Sequence, residues 1–105
     1  MFNNVNENSI HLAILQVEHP TIASSLVDLG MIRDVVYSSE DKTVSLTLVL
    51  PVLDIPQNIR DYMIHSLYQA LKSIDTELTK VNQAKMTAEE RQVFLTLEQQ
   101  NWKGQ

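Results

Sequence analysis

The side chains of this chain best suited to acid–base or metal chemistry are its three histidines, His11, His19 and His65, and two aspartates, Asp28 and Asp34, that flank Gly30. A histidine metal site normally announces itself by paired ligands at short spacing, such as two histidines four apart on one helix, and no two of these stand that way. Each histidine is therefore read as structural, with His19, directly before Pro20, keeping the strongest claim to a role. His19, Asp28 and Asp34 together would be the residues of a metal-dependent enzyme. The plainer reading has Asp28 holding a turn or capping nearby backbone N–H groups, with Asp34 on a solvated strand face. Nucleophilic catalysis needs an activated residue with a base beside it. The serines sit in no Gly-x-Ser-x-Gly elbow, and the two glycines leave no P-loop or dinucleotide fingerprint. The absence of cysteine excludes a disulfide framework, a thiolate metal site, a cysteine nucleophile and a cluster held by this chain's own thiols. No catalytic residue, metal ligand or cofactor is assigned, and the expectation is a protein that is not an enzyme.

The totals fit one folded domain over residues 1–105. The chain has 105 residues, room for one core and too few for two, and its 44% hydrophobic and 20% charged content is ordinary for a globular protein. A net charge of -5 with no basic block repels phosphate backbones and anionic lipid surfaces, so neither nucleic acid nor membrane is expected as a partner. The first eight residues form no signal segment, and the apolar stretch 44–55 is broken by Ser45, Thr47, Pro51 and Asp54 and is too short to span a bilayer. A cytoplasmic location is the simplest expectation.

Hydrophobic spacing gives the elements that would position these residues. Ile10, Ala13, Ile14 and Val17 recur at helical spacing behind capping Asn and Ser residues, predicting a helix from about Asn6 or Asn8 to Val17 that His19-Pro20 stops. Ile22, Leu26 and Leu29 mark a second short helical turn, with Gly30 suited to the left-handed position that ends it. The β-branched run 31–37 and the alternation of Val44, Leu46, Leu48 and Leu50 against Thr43, Ser45 and Thr47 predict an antiparallel hairpin across the polar turn 38–42. Residues 57–74 place Ile59, Tyr62, Met63, Leu67, Ala70, Leu71 and Ile74 on one side of a central helix, with Pro56 in its first turn. Residues 76–85 read as a short edge strand, set parallel to 43–50 by a right-handed crossover. Thr87 and Glu90 have the spacing of a capping box that opens a last helix through Val93, Phe94 and Leu97, with Phe94 read as core and Trp102 left open. The fold class is thus α+β in two layers: helix, two strands, helix, strand, helix, with a small mixed three-stranded sheet. Residues 1–8 and 103–105 are expected to be flexible.

The run His19-Pro20-Thr21 through Leu26-Val27-Asp28-Leu29-Gly30-Met31-Ile32 with Asp34-Val35, the alternating strand leading into loop 51–56, and the ending Met86-Thr87-Ala88-Glu89-Glu90-Arg91 with Trp102-Lys103-Gly104 together resemble a known family. It is the small iron–sulfur-cluster assembly domain found as stand-alone proteins, as phenylacetate-degradation D-type proteins and as the N-terminal domain of Mrp-type P-loop ATPases. The His-Pro opening and the tail look most like the Mrp-type domain. Family members commonly carry Asp-Pro-Glu where this chain has His19-Pro20-Thr21, and a loop ending in Cys-Pro where it has Leu53-Asp54-Ile55-Pro56. Matching the prolines puts Ile55 at the cysteine position, with Asp54 beside it. An aliphatic side chain cannot ligate iron, whereas a carboxylate can bind it weakly.

The resemblance then implies an adaptor in iron–sulfur protein maturation, binding a cluster scaffold, a carrier ATPase or a client protein, with a homodimer left open. Its partner-binding candidates are His19, Asp28, Leu29, Gly30, Pro51, Asp54, Ile55 and Pro56. The alternative is a small regulatory or structural interaction module that keeps the fold without any metal-related role.

Overall fold

A computed structural model describes residues 7–103. Its order is α1 (Glu7–Leu15), β1 (Ile32–Ser38), β2 (Thr43–Leu50), α2 (Gln57–Lys72), β3 (Glu77–Lys85) and α3 (Ala88–Asn101), the α+β sequence of elements expected. The sheet runs β1-β2-β3, with β1 antiparallel and β3 parallel to β2. The central strand is buried because Val44, Leu46, Leu48 and Leu50 face the helical layer. There they meet a core that includes Ile10, Ala13 and Ile14 of α1 and Met63, Leu67 and Leu71 of α2. Thr47 and Val49, on the opposite face, are buried as well. Arg33, register partner of Thr47, reaches Glu90 of α3 at 3.7 Å on that side.

Turn chemistry fixes how the chain enters the sheet. Gly30 has φ +75, the Met31 N–H donates to the Leu26 carbonyl at 2.9 Å, and the Gly30 N–H to that of Val27 at 3.0 Å. This is a Schellman closure with Gly30 in the left-handed position, and Leu26 and Met31, the two positions that carry its usual apolar residues, are both buried. The turn covers Leu26 to Gly30 without starting at Ile22, which instead pairs as an isolated bridge with Trp102. The same closure recurs after α2. There the Thr76 N–H donates to the Leu71 carbonyl at 3.0 Å and Asp75 takes the left-handed position at φ 62.

Two bulges depart from plain alternation. In β1, Asp34 and Val35 together oppose Leu46, with Asp34 at φ 56. The extra residue returns Val35 and Tyr37 to the face of Ile32, toward α1, while Asp34 stays in solvent. In β3, Thr79 is the unpaired residue, and its hydroxyl donates to the Val44 carbonyl at 3.3 Å.

Several boundaries shift from expectation. α1 ends at Leu15 and not Val17, although Val17 is buried. α2 ends at Lys72 rather than Ile74, and Pro56 is its N-cap, one residue outside the helix. Tyr62 is more than half exposed, on the solvent side of the stripe. The capping box is present, with the Glu90 N–H donating to Thr87 Oγ1 at 3.1 Å and the Thr87 N–H to Glu90 Oε1 at 2.9 Å. Phe94 is buried, Val93 is exposed and Trp102 is the C-cap. Of the ends expected to be flexible, Glu7 and Asn8 belong to α1 and Lys103 is hydrogen-bonded, while 1–6 and 104–105 lie outside the described residues. No helix among the described residues is long and apolar enough to cross a membrane.

A Cβ built on Gly30 meets nothing within 4 Å, so replacing it by alanine adds backbone strain and no clash. Gly30→Ala is expected to lower unfolding stability by about 1–2 kcal/mol, the cost of an L-residue in left-handed helical space. Urea denaturation checks it as a lower midpoint at unchanged m.

Candidate functional site

The antiparallel register pairs Ile32 with Leu48, and the Val49 N–H donates to the Met31 carbonyl at 2.7 Å. The chain therefore enters β1 at the end where β2 finishes. The parallel register pairs Leu50 with Lys85, and the Met86 N–H donates to the Leu50 carbonyl at 2.8 Å. The turn at Asp28, Leu29 and Gly30, loop 51–56 and the capped start of α3 thus gather at the carboxyl end of β2. Loops at a strand end can vary without disturbing the sheet, which is why binding residues concentrate there.

Within this group Asp28, Gly30, Asp54 and Pro56 are exposed, Pro51 and Ile55 are half-buried, and Leu29 is buried. Leu29 therefore supports the turn from below. Ile55 packs its side chain against the core, so the loop offers Asp54 and the half-exposed Leu53 to solvent. The Asp28 carboxylate does not cap the turn as expected. Ser25 does so instead, its hydroxyl oxygen accepting the Asp28 N–H at 3.0 Å.

Sequence reasoning overlooked Arg60. Its guanidinium donates to the Leu53 carbonyl at 2.9 Å, tying loop 51–56 to α2. The cue was a cation in the first turn of a helix, where the peptide dipoles disfavour it and a tertiary partner is needed to keep it. Its Nε is buried with no acceptor, which offsets part of what the tie contributes.

The structure does not bring His19 to this rim. Its imidazole is buried, 6.4 Å centroid to centroid from the Phe94 ring, and its Nδ1 accepts the Thr21 N–H at 3.1 Å, with the Thr21 hydroxyl 3.3 Å away. The bond assigns the proton of the neutral ring to Nε2. Burial, and then the nearby Lys103 ammonium, lower its pKa from 6.5 to about 4, so the ring is neutral near pH 7. This is a side chain that closes a turn for its own backbone, with its accepting nitrogen already used. His11 and His65 are exposed on α1 and α2. Asp34 pairs weakly with Arg33 at 3.8 Å. No group of three or more His, Cys, Asp or Glu able to hold a metal ion occurs among the described residues.

A groove of about 300 Å³ lies between α1 and β1, lined by Ile10, Ile14, Val27, Ile32, Val35 and Tyr37 with Glu7 and His11 beside them. Val27 and Ile32 place one end of the groove next to the Asp28–Gly30 turn, and Glu7 and His11 of α1 line it elsewhere.

No family model and no curated protein matches the sequence. Among solved structures the chain is similar to a domain of unknown function, DUF59, from Bacillus anthracis. The TM-score is 0.62 and the identity 16%, covering 87% of this chain and 90% of that one. At that identity the likeness establishes a shared α+β fold.

His19→Ala removes the acceptor of a partly buried N–H and is expected to cost about 1–3 kcal/mol. Asp54→Asn, at an exposed position, should stay within about 0.5 kcal/mol of wild type. Urea midpoints at pH 7.5 separate the two roles.

Proposed function

We propose that this chain is a non-enzymatic accessory protein of iron–sulfur cluster assembly, acting as an adaptor by protein–protein contact. The observation that carries the reading is the gathering of the Asp28 and Gly30 turn, loop 51–56 and the start of α3 at one end of the sheet. It occurs within a fold shared with the DUF59 domain. The resemblance to the cluster-assembly family includes these segments, along with the His19-Pro20 opening and the tail at Trp102 that lie elsewhere, and this overlap supports the reading.

The chemistry of the loop supports a role by contact. Soft thiolate ligands hold iron–sulfur clusters. At the strand end this chain presents carboxylates, backbone and aliphatic groups: Asp28, Asp54, Leu53 and the half-buried Ile55. Such a surface suits recognition of another protein, with an exposed apolar contact at Leu53 beside Asp54 and the Arg60 guanidinium. The partner proposed is a cluster scaffold, a carrier ATPase or a client protein that supplies the sulfur ligands itself.

Binding of the purified chain to purified cluster-assembly proteins, measured by calorimetry, tests the proposal. Truncating and reversing the rim with Leu53→Ala and Asp54→Lys should weaken binding by about tenfold or more, the size of an interface anchor, without lowering thermal stability. Absence of binding to any scaffold, carrier or client, or binding that ignores both substitutions, overturns it. A pull-down returning only partners unrelated to iron or sulfur would instead favour the plain interaction module.

A further inference from the structure

The end of α3 is held to the segment around residues 18–24 by a compact set of bonds with His19 inside it. The Ala23 N–H donates to the Asn101 carbonyl at 2.7 Å and the Lys103 N–H to the Thr21 carbonyl at 3.0 Å, while Ile22 and Trp102 form an antiparallel bridge. The Asn101 amide donates to Ser24 Oγ at 3.0 Å, and the Lys103 ammonium donates to the His19 carbonyl at 3.3 Å while pairing with Glu18 at 3.2 Å. Along its length α3 buries one side chain, Phe94, and that ring lies against His19. The helix is therefore held to the rest of the fold by Phe94 and the half-buried Leu97, by the exposed Arg33–Glu90 pair near its start, and at its end by this clasp.

We propose that the clasp is an acid-operated latch, in which protonation of His19 frees the end of α3 from the 18–24 segment while the sheet and the α1–α2 layer stay folded. A proton on Nδ1 turns the acceptor of the Thr21 N–H into a donor, and the next atoms along that backbone are the carbonyl that receives Lys103. The new imidazolium would also stand close to the Lys103 ammonium in a water-poor position. The groups facing it are few. Lys103, beyond α3, repels it, whereas Glu18, after α1, attracts it but is half-exposed and already engaged by Lys103. Phe94 of α3 and Thr21 carry no charge. The balance opposes a closed latch around a charged ring.

The sign follows from linkage. His19 binds its proton more weakly in the closed state, at about 4, than when released, at 6.5, so the closed latch is fully favoured above about 6.5 and is lost as pH falls toward 4. Freeing the end of α3 breaks the bonds at Ala23, Ser24 and Lys103 while β2 keeps its two neighbouring strands. The opening is accordingly local, of the kind drawn from the low-stability parts of a fold.

Amide hydrogen exchange on the wild-type chain tests this directly. Between pH 7.5 and pH 5, protection factors corrected for intrinsic rates should fall roughly thirtyfold at Ala23 and Lys103, from the two His19 affinities just given. Protection at Val49, whose N–H bonds the Met31 carbonyl at the mouth of β1 and makes no bond to the clasp, should be unchanged. Trp102, the single tryptophan, should report the same transition by its emission, and His19→Gln should abolish the pH response of both probes. Loss of protection at Ala23, Lys103 and Val49 together, retention of protection at Ala23 and Lys103 down to pH 4.5, or an unaltered response in His19→Gln each overturns the latch. Because exchange is read first on the natural chain, the result does not depend on how well the variant folds.

Discussion

The fold rests on the burial of β2. From Leu46 to Leu50 every side chain of that strand is buried, whichever face it occupies, so none of its backbone groups can turn to water. They are paired by β1 on one side and β3 on the other, and a one-residue slip of either partner would move apolar side chains off the core. The demand is sharp enough that irregularities are displaced to the outer strands. The bulges lie at Asp34 in β1 and Thr79 in β3, where an unpaired residue faces solvent or bonds locally. A bulge on an outer strand also twists an open edge away from pairing with another chain, which protects a sheet that has two such edges.

Fixing both neighbours of β2 also determines where the loops must go. An antiparallel β1 starts where β2 ends, and a parallel β3 ends there too, so three connections converge without any contact among their side chains being required. The left-handed Gly30 completes this arrangement by turning the chain at the one point where Leu26 stays in the core and Met31 still reaches Val49. The strand-end surface is thus a consequence of strand direction, and the exposed residues of its loops are free to vary without disturbing the sheet. That freedom separates the persistence of the architecture from the persistence of any chemistry performed on it.

Features governed by neighbours in sequence were legible from the residues alone. The alternation of Val44 to Leu50 marks one buried face, Thr87 and Glu90 satisfy each other's backbone within one turn, and Gly30 follows its apolar turn directly. What was not legible depends on long-range register. Nothing local distinguishes Asp34 from an ordinary solvated strand residue, because its left-handed backbone serves the pairing of Val36 with Ser45. Asp75 takes a position that glycine would mark, tolerated because aspartate is among the side chains least penalised there. The convergence of Asp28 with loop 51–56 could be reasoned from strand order. The separation of His19 from them could not, since it depends on where α3 returns.

His19 shows how a residue with chemical potential becomes structural. Proline at position 20 cannot donate a backbone N–H, so the turn must close on the next available donor, that of Thr21. An imidazole supplies the acceptor from two residues earlier while its ring fills space against Phe94, a combination that a carboxylate at the same position would not reproduce without burying a charge. The imidazole also places a weak base where the end of α3 docks. The imidazole lies in the clasp and not in the strand-end loops, and the two parts can act independently. Contacts made at Asp28 and Asp54 need not disturb His19, and opening at Lys103 leaves the register of β2 intact.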